Sequence, residues 1–326
     1  MRIRKQRIAI LSDVHYAGPA EQERGNDYEV GNVARPIQRV LCRAYRQYLW
    51  LRDPLHQNHL LDPVLALNPE PDHVFALGDY TCDTAFLGVS DDAALESAAE
   101  CLGKLRSRFG DRLHPLIGDH ELGKFSLFGN CGGLRLESWR RVRSALGLSA
   151  SWQLTLGPYV CLGITSTLVA LPAFQNELLE TERADWERER RTHLEEIRQA
   201  FHSVSANQRI LLFCHDPTAL PYLATEPVVN RQFEKIERTF IGHLHSPFIL
   251  WTSRRLAGMP SIGILGHTVK RLSTALARAR HWKPFRVCLC PSLAGIQLLK
   301  DGGFLTTEID ARDDRPLQLQ RHRIRR

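Results

Sequence analysis

The sequence predicts an α/β fold whose functional groups sit at the C-terminal ends of buried strands, and three observations predict it. Five short apolar runs each stop at a cluster containing Asp or His, usually beside Gly. Helical patterns lie between several of these runs, as connections between strands require. A composition of 43% hydrophobic and 24% charged residues over 326 positions supplies a sizeable core and excludes a disordered chain. Open α/β sheets place ligand sites at the carboxyl ends of their strands.

In chain order, Arg7 to Leu11 reads as a buried strand ending at Ser12-Asp13-Val14-His15. Residues 16–71 then exceed what a minimal crossover needs. The next run, Asp72 to Leu77, ends at Gly78-Asp79. An alanine-rich stretch, 91–109, with Leu95, Leu102 and Leu105, predicts a helix. Arg112 to Ile117 is the third strand and ends at Gly118-Asp119-His120-Glu121. Further strands are expected at Trp152 to Thr155 and Tyr159 to Ile164, and a solvated amphipathic helix at 181–202. Arg209 to Cys214 ends at His215-Asp216, and Arg238 to Ile241 ends at Gly242-His243-Leu244-His245. Late strands are expected at Arg286 to Leu289 and Gly303 to Ile309. The organisation this suggests is a single domain over 1–311, with an insert at 16–71, a basic helical insert at 254–284, and a basic tail at 312–326 that frays.

A net charge of +7 favours anionic partners, phosphates or membrane surfaces, without choosing among them. Eight cysteines with no Cys-x-x-Cys pair suit reduced thiols in a cytoplasmic setting rather than a disulfide framework or zinc finger. The apolar run after the basic N-terminus is too short for a signal peptide, and nothing is long enough to span a bilayer, so a cytoplasmic protein, peripheral on the inner membrane, is expected.

A lone His-x-His is more often a pair of surface histidines than a metal site. Five polar clusters on successive strand ends change that balance. Asp13-x-His15, Gly78-Asp79, Gly118-Asp119-His120-Glu121, His215 and Gly242-His243-x-His245 together resemble, in that order, the motifs of the calcineurin-like metallophosphoesterases. The resemblance implies a sandwich of two mixed β-sheets flanked by helices, carrying a two-metal site. It further implies that Asp13, His15 and His245 hold one ion, that Asp119, His215 and His243 hold the other, and that Asp79 bridges both. His120 would be the catalytic histidine beside the leaving group, with Glu121 either orienting it or lying in a solvated turn. One departure stands out: the family's third motif normally carries Asn where this chain has Asp119. The carboxylate adds a negative charge, which should tighten hard-cation binding and weaken the pull on an anionic phosphate.

Mixed carboxylate and imidazole donors suit Mn²⁺, the expected ion, with Fe²⁺, Zn²⁺ or Co²⁺ as alternatives. Two such ions roughly 3.5 to 4 Å apart clamp a phosphate oxygen and activate water for in-line attack. A protonated His120 would serve the departing oxygen.

Substrate choice is expected outside these motifs. Over 35–52, Ile37, Val40, Leu41, Ala44, Tyr45, Tyr48 and Leu49 recur at helical spacing among Arg35, Arg39, Arg43 and Arg46. A second basic helix is expected at 267–280. Either the helices pack on the core, or they form an interfacial surface for a lipid-linked substrate, with Trp50, Leu51, Leu60 and Leu61 adding grip. A basic amphipathic insert after the first motif resembles the arrangement in enzymes that cleave UDP-2,3-diacylglucosamine, which makes that diphosphate the leading substrate. Cyclic nucleotides, other nucleotide diphosphates and phosphoproteins are the rivals. Nucleic acid is disfavoured, since no exposed basic strand carries interleaved aromatics. A non-catalytic metal-binding scaffold is disfavoured too, because every ligand position keeps a coordinating side chain.

Overall fold

The computed structural model describes all residues except 1–4, 26–27, 32, 52, 83, 127–130, 259–276, 311–315 and 325–326. The chain opens with β1 (Gln6–Leu11), followed by the helices α1 (Pro19–Arg24), α2 (Tyr28–Gly31), α3 (Pro36–Ala44) and α4 (Asp62–Leu65). Next come β2 (His73–Ala76), α5 (Asp92–Phe109), β3 (Leu113–Pro115), α6 (Asp119–Leu122) and α7 (Leu136–Ser144). The second half holds β4 (Ser151–Leu156), β5 (Tyr159–Ile164), α8 (Ser166–Val169), α9 (Arg183–His202), β6 (Arg209–Cys214), α10 (Leu220–Leu223) and α11 (Pro227–Asn230). It closes with β7 (Ile236–Ile241), α12 (Pro247–Arg255), β8 (Val287–Leu289), β9 (Gly303–Ile309) and β10 (Leu319–Arg323).

These strands form two five-stranded mixed sheets, ordered β10-β9-β1-β2-β3 and β4-β5-β6-β7-β8. Strands β1, β2 and β3 run parallel, as do β5 to β8, while β9, β10 and β4 join antiparallel at the sides. The two-residue period of a strand explains why the runs are continuously apolar. Ile8, Ile10, Phe75, Leu77, Leu211, Phe213 and Phe240 point into the layer between the sheets. Ala9, Leu11, Val74, Ala76, Ile210, Leu212 and Ile241 face the flanking helices. Between the sheets the rings of Phe75 and Phe213 stack at 4.3 Å, and Phe213 stacks on Phe240 at 5.1 Å. Truncating Phe213 to Ala there would cost about 3 to 5 kcal/mol.

Several local readings change. The frayed tail is in part a strand: β10 pairs with β9 from Leu319 opposite Thr307 to Arg323 opposite Gly303. Its composition is basic, yet an edge strand needs only one covered face and main-chain partners. Helices α7 and α12 were not expected, and the helix expected over 267–280 falls mostly outside the described residues. In the insert, α3 runs into a π-helical turn (Tyr45–Leu49), a form common at functional sites. Leu51, Leu60 and Leu61 are buried in the core and provide no surface grip.

Candidate metal centre

The polar clusters converge at the C-terminal ends of strands from both sheets. Strand β1 delivers Asp13 and His15, β2 delivers Asp79, and β3 leads into α6 with Asp119 and His120 at its start. From the other sheet β6 delivers His215, and β7 delivers His243 and His245. The main chain here is forced out of its ordinary range. Asp13, His15, Asp79, His243 and His245 all have φ between 50° and 58°, and among the described residues only Arg286 and Lys300 are other non-glycine positions with positive φ. Each such residue costs about 1 kcal/mol or more, and strain of this kind gathers at functional sites. Glycine makes the convergence sterically feasible. A Cβ at Gly242 would collide with the Ser12 hydroxyl, and one at Gly78 would lie 2.5 Å from the Gly118 nitrogen.

Hydrogen bonds lock the two sheets' contributions together. The Asp13 carboxylate accepts from the His243 amide at 3.1 and 3.2 Å, and His215 Nδ1 lies 2.9 Å from the Leu77 carbonyl. Asp79 Oδ1 accepts from the His120 amide at 3.0 Å. The side-chain donors fall into overlapping groups, with atoms within 4.8 Å of one another: Asp13-His15-His245, Asp119-His215-His243, Asp13-Asp79-His215 and His15-Asp79-His120. Within them His215 Nε2 is 3.1 Å from Asp79 and 2.9 Å from Asp119, His243 Nδ1 is 3.3 Å from Asp119, and His245 Nε2 is 3.3 Å from Asp13. Asp79 thus shares groups with donors from both ends of the site. Every member is buried except His243, whose side chain keeps 26% of its exposure and marks the opening to solvent.

So many buried carboxylates polarise the histidines. Burial alone would lower His215, but Asp79, Asp119 and Asp13 hold it well above the ordinary imidazole range. His243 is likewise raised against its burial, by Asp216 and Asp119. Burial would raise Asp119, yet His243, Lys124 and His215 hold it well below the usual carboxylate range. Divalent ions fit this donor set. Asp119 Oδ2 is buried with no hydrogen-bond partner, the His15 and His245 Nε2 atoms face each other at 3.3 Å, and no cysteine joins any of the groups. Carboxylate and imidazole without thiolate is the chemistry of Mn²⁺, Fe²⁺, Zn²⁺ or Co²⁺.

His120 is fully buried, and burial, helped by Lys124, pushes its imidazole down to about 3. Its Nδ1 lies 3.0 Å from the Cys82 carbonyl, and its Nε2 lies 3.9 Å from Asp79. One sequence expectation changes: Glu121 neither orients His120 nor lies in a solvated turn. Its buried carboxylate accepts main-chain N–H groups of Gly118 (2.8 Å), Asp79 (2.9 Å), Tyr80 (2.7 Å) and Thr81 (3.3 Å), tying the β2 and β3 loops into one unit. Asp216 and Trp50 also belong to the site. Asp216 Oδ2 is 3.9 Å from His243 Nε2, and the Trp50 ring lies against His245 at 4.7 Å. Asp216, adjoining His215 on a strand end, was a signal available in the sequence; Trp50 was expected only as apolar grip beside the basic helix.

Residues 6–247 match the family model for the calcineurin-like phosphoesterases. The chain belongs to this family. It is therefore a metallophosphoesterase, a hydrolase acting on a phosphate-containing substrate, from a family that binds two divalent ions. Among solved structures, a dimetal phosphatase from Danio rerio is similar at 13% identity and a TM-score of 0.46, over 98% of this chain and 97% of that one. A phosphopantetheinyl hydrolase from Mycobacterium tuberculosis is similar at 13% identity and a TM-score of 0.34, over 74% of this chain and 84% of that one. No curated protein matches the sequence.

Proposed function

We propose that the protein hydrolyses a phosphodiester or diphosphate bond in an amphiphilic, lipid-linked substrate at an anionic membrane surface, with UDP-2,3-diacylglucosamine the leading candidate. The observation that carries this reading is the direction of α3. Its apolar stripe faces solvent: Ile37, Val40, Leu41, Tyr48 and Leu49 are exposed, and Cys42 is the one fully buried residue of α3 and its π-turn. Exposed Phe248 and Trp251 stand on α12, which begins just after His245. Arg35, Arg43, Arg254 and Arg255 are exposed on the same two helices or at their start. Apolar side chains interleaved with arginine are the composition of a helix that lies in a headgroup region. No helix among the described residues is long and apolar enough to cross a membrane, so the reading is of peripheral binding.

In the proposed centre Asp13, His15 and His245 hold one ion, Asp119, His215 and His243 hold the second, and Asp79 stands between them. When bound, the ions, Mn²⁺ by preference, supply Lewis acidity toward phosphorus and the attacking water. His120 serves the leaving oxygen. An anionic phosphate opposes the burial that lowers this imidazole, which favours His120 taking a proton from water as substrate arrives and passing it to the departing oxygen. Glu121 and the strained strand ends keep the donors placed without reorganisation.

The deciding assay is release of UMP with Mn²⁺ present, comparing the diacylated substrate with the same sugar nucleotide lacking acyl chains. A strong preference for the acylated form, with salt-sensitive binding to anionic liposomes, is expected. Equal rates on both, or no liposome binding at low salt, would leave instead a nucleotide phosphodiesterase or a protein phosphatase.

A further inference from the structure

We propose that Trp50 is a positioning residue for the metal centre, through which the α3 insert and His245 stabilise one another. The inference rests on His245 holding a metal ion. The indole and imidazole planes meet at 38° with centroids 4.7 Å apart. The indole also stacks with Tyr45, the first residue of the π-turn, at 6.0 Å and 18°. An insert segment remote in sequence therefore supports the ring of a donor that β7 delivers.

The main chain supports the same contact. Trp50 donates from its amide to the Tyr45 carbonyl at 3.0 Å, and its own carbonyl accepts from the Gln297 amide at 2.6 Å. Leu298 donates to the Leu49 carbonyl at 3.3 Å. The loop between β8 and β9 that makes these bonds also holds His245: Ser292 donates to the His245 carbonyl at 3.2 Å. Asp301 closes the circuit, accepting from the Ile296 amide at 3.0 Å and from the hydroxyl of Ser246, the neighbour of His245. One loop thus ties the main chain of Trp50 to that of His245, whose rings also meet.

His245 needs such support. Its main chain is left-handed, at φ 58°, and its Nε2 must stay directed at Asp13 and His15, each 3.3 Å away. A planar ring against the imidazole restricts its rotation, and the indole face attracts the positive charge that an ion brings to the imidazole. Contacts that orient a metal ligand commonly change metal affinity by about 10 to 100 fold. Linkage makes the effect mutual: whatever Trp50 contributes to metal binding, metal binding returns to the order of α3 and its turn.

The test uses the full chain stripped of metal and titrated with Co²⁺ by calorimetry and visible absorption. Trp50→Ala should bind at least one ion about tenfold more weakly and alter the Co²⁺ spectrum, while Trp50→Phe restores both, since a ring suffices. In wild type and Trp50→Phe, Co²⁺ should slow tryptic cleavage after Arg39 and Arg43, and in Trp50→Ala it should not. Melting of the metal-free proteins checks folding, and Trp50→Leu, apolar and bulky without the ring, replaces the alanine variant if that one unfolds. Wild-type binding of two ions together with unchanged affinity and protection in the ring-less variant overturns the proposal. A loss that Trp50→Phe does not rescue overturns it as well, because the ring would then be ordinary packing. Failure of the wild type to bind ions overturns the metal-centre reading itself, a result separable from the other two.

Discussion

The metal centre and the α3 insert invert the usual burial rule in opposite directions. At the strand ends, carboxylates and imidazoles are buried together, whereas on α3 and its π-turn large apolar side chains stand exposed, Ile37 at 77% and Tyr48 at 65%. Buried charge is costly unless compensated, and contiguous exposed apolar surface marks an interaction site. On the proposed reading the first region takes cations and the second an apolar partner, and Trp50 lies where they meet. Their backbones differ as well. The centre is held by strained, hydrogen-bonded loops that preset its donors, while α3 and its π-turn bury only Cys42.

The largest effect should come from removing the shared carboxylate. Asp79→Ala should lose both ions by metal analysis and all measurable turnover, whereas His120→Ala should keep both ions and lose roughly 10² to 10⁴ fold in rate. The reverse pattern of metal content would break the assignment of roles in the centre. A smaller effect is expected on the opposite region. Ile37→Glu combined with Leu41→Glu should weaken binding to anionic liposomes by about tenfold or more, given ~1.5 to 3 kcal/mol for a fully buried aliphatic side chain. Turnover of a small, water-soluble phosphodiester should stay near wild type; a parallel loss there would mean the two regions are not separable.

Asp119→Asn sharpens the comparison within the centre. It removes one buried negative charge, so two ions should still bind, the second somewhat more weakly. Loss of the second ion altogether would show a site rebuilt around the carboxylate. The smallest effect concerns Glu21, a buried acid in the insert. Burial lifts it to about 7 from 4.5. Because the folded value lies above the unfolded one, its contribution is present below about pH 4.5 and is lost as pH rises toward 7. Glu21→Gln should therefore melt higher than wild type at pH 8 and show no gain at pH 4, measured on the metal-free protein. A gain at pH 4 as large as at pH 8 would remove charge as its cause.

Much of this was legible in the residues. The strands Arg209–Cys214 and Gly303–Ile309 lie where the apolar runs place them, as does most of the helix α9 (Arg183–His202). The side chains proposed as metal donors were named from the polar ends of such runs. Both kinds of inference are local, since a run of apolar residues and the glycine or aspartate that stops it are neighbours in the chain. Tertiary structure decided the rest. The helical period of 35–49 defines an apolar stripe but not whether it meets the core or solvent, because that depends on what packs opposite. The main-chain donors gathered by Glu121 come from two loops about 40 residues apart, and those around Trp50 come from a loop some 250 residues later, so they become partners only when the sheets bring their ends together. Strand β10 joins its sheet for the same reason: its basic sequence carries no strand signal of its own, and the open edge of β9 supplies its hydrogen bonds.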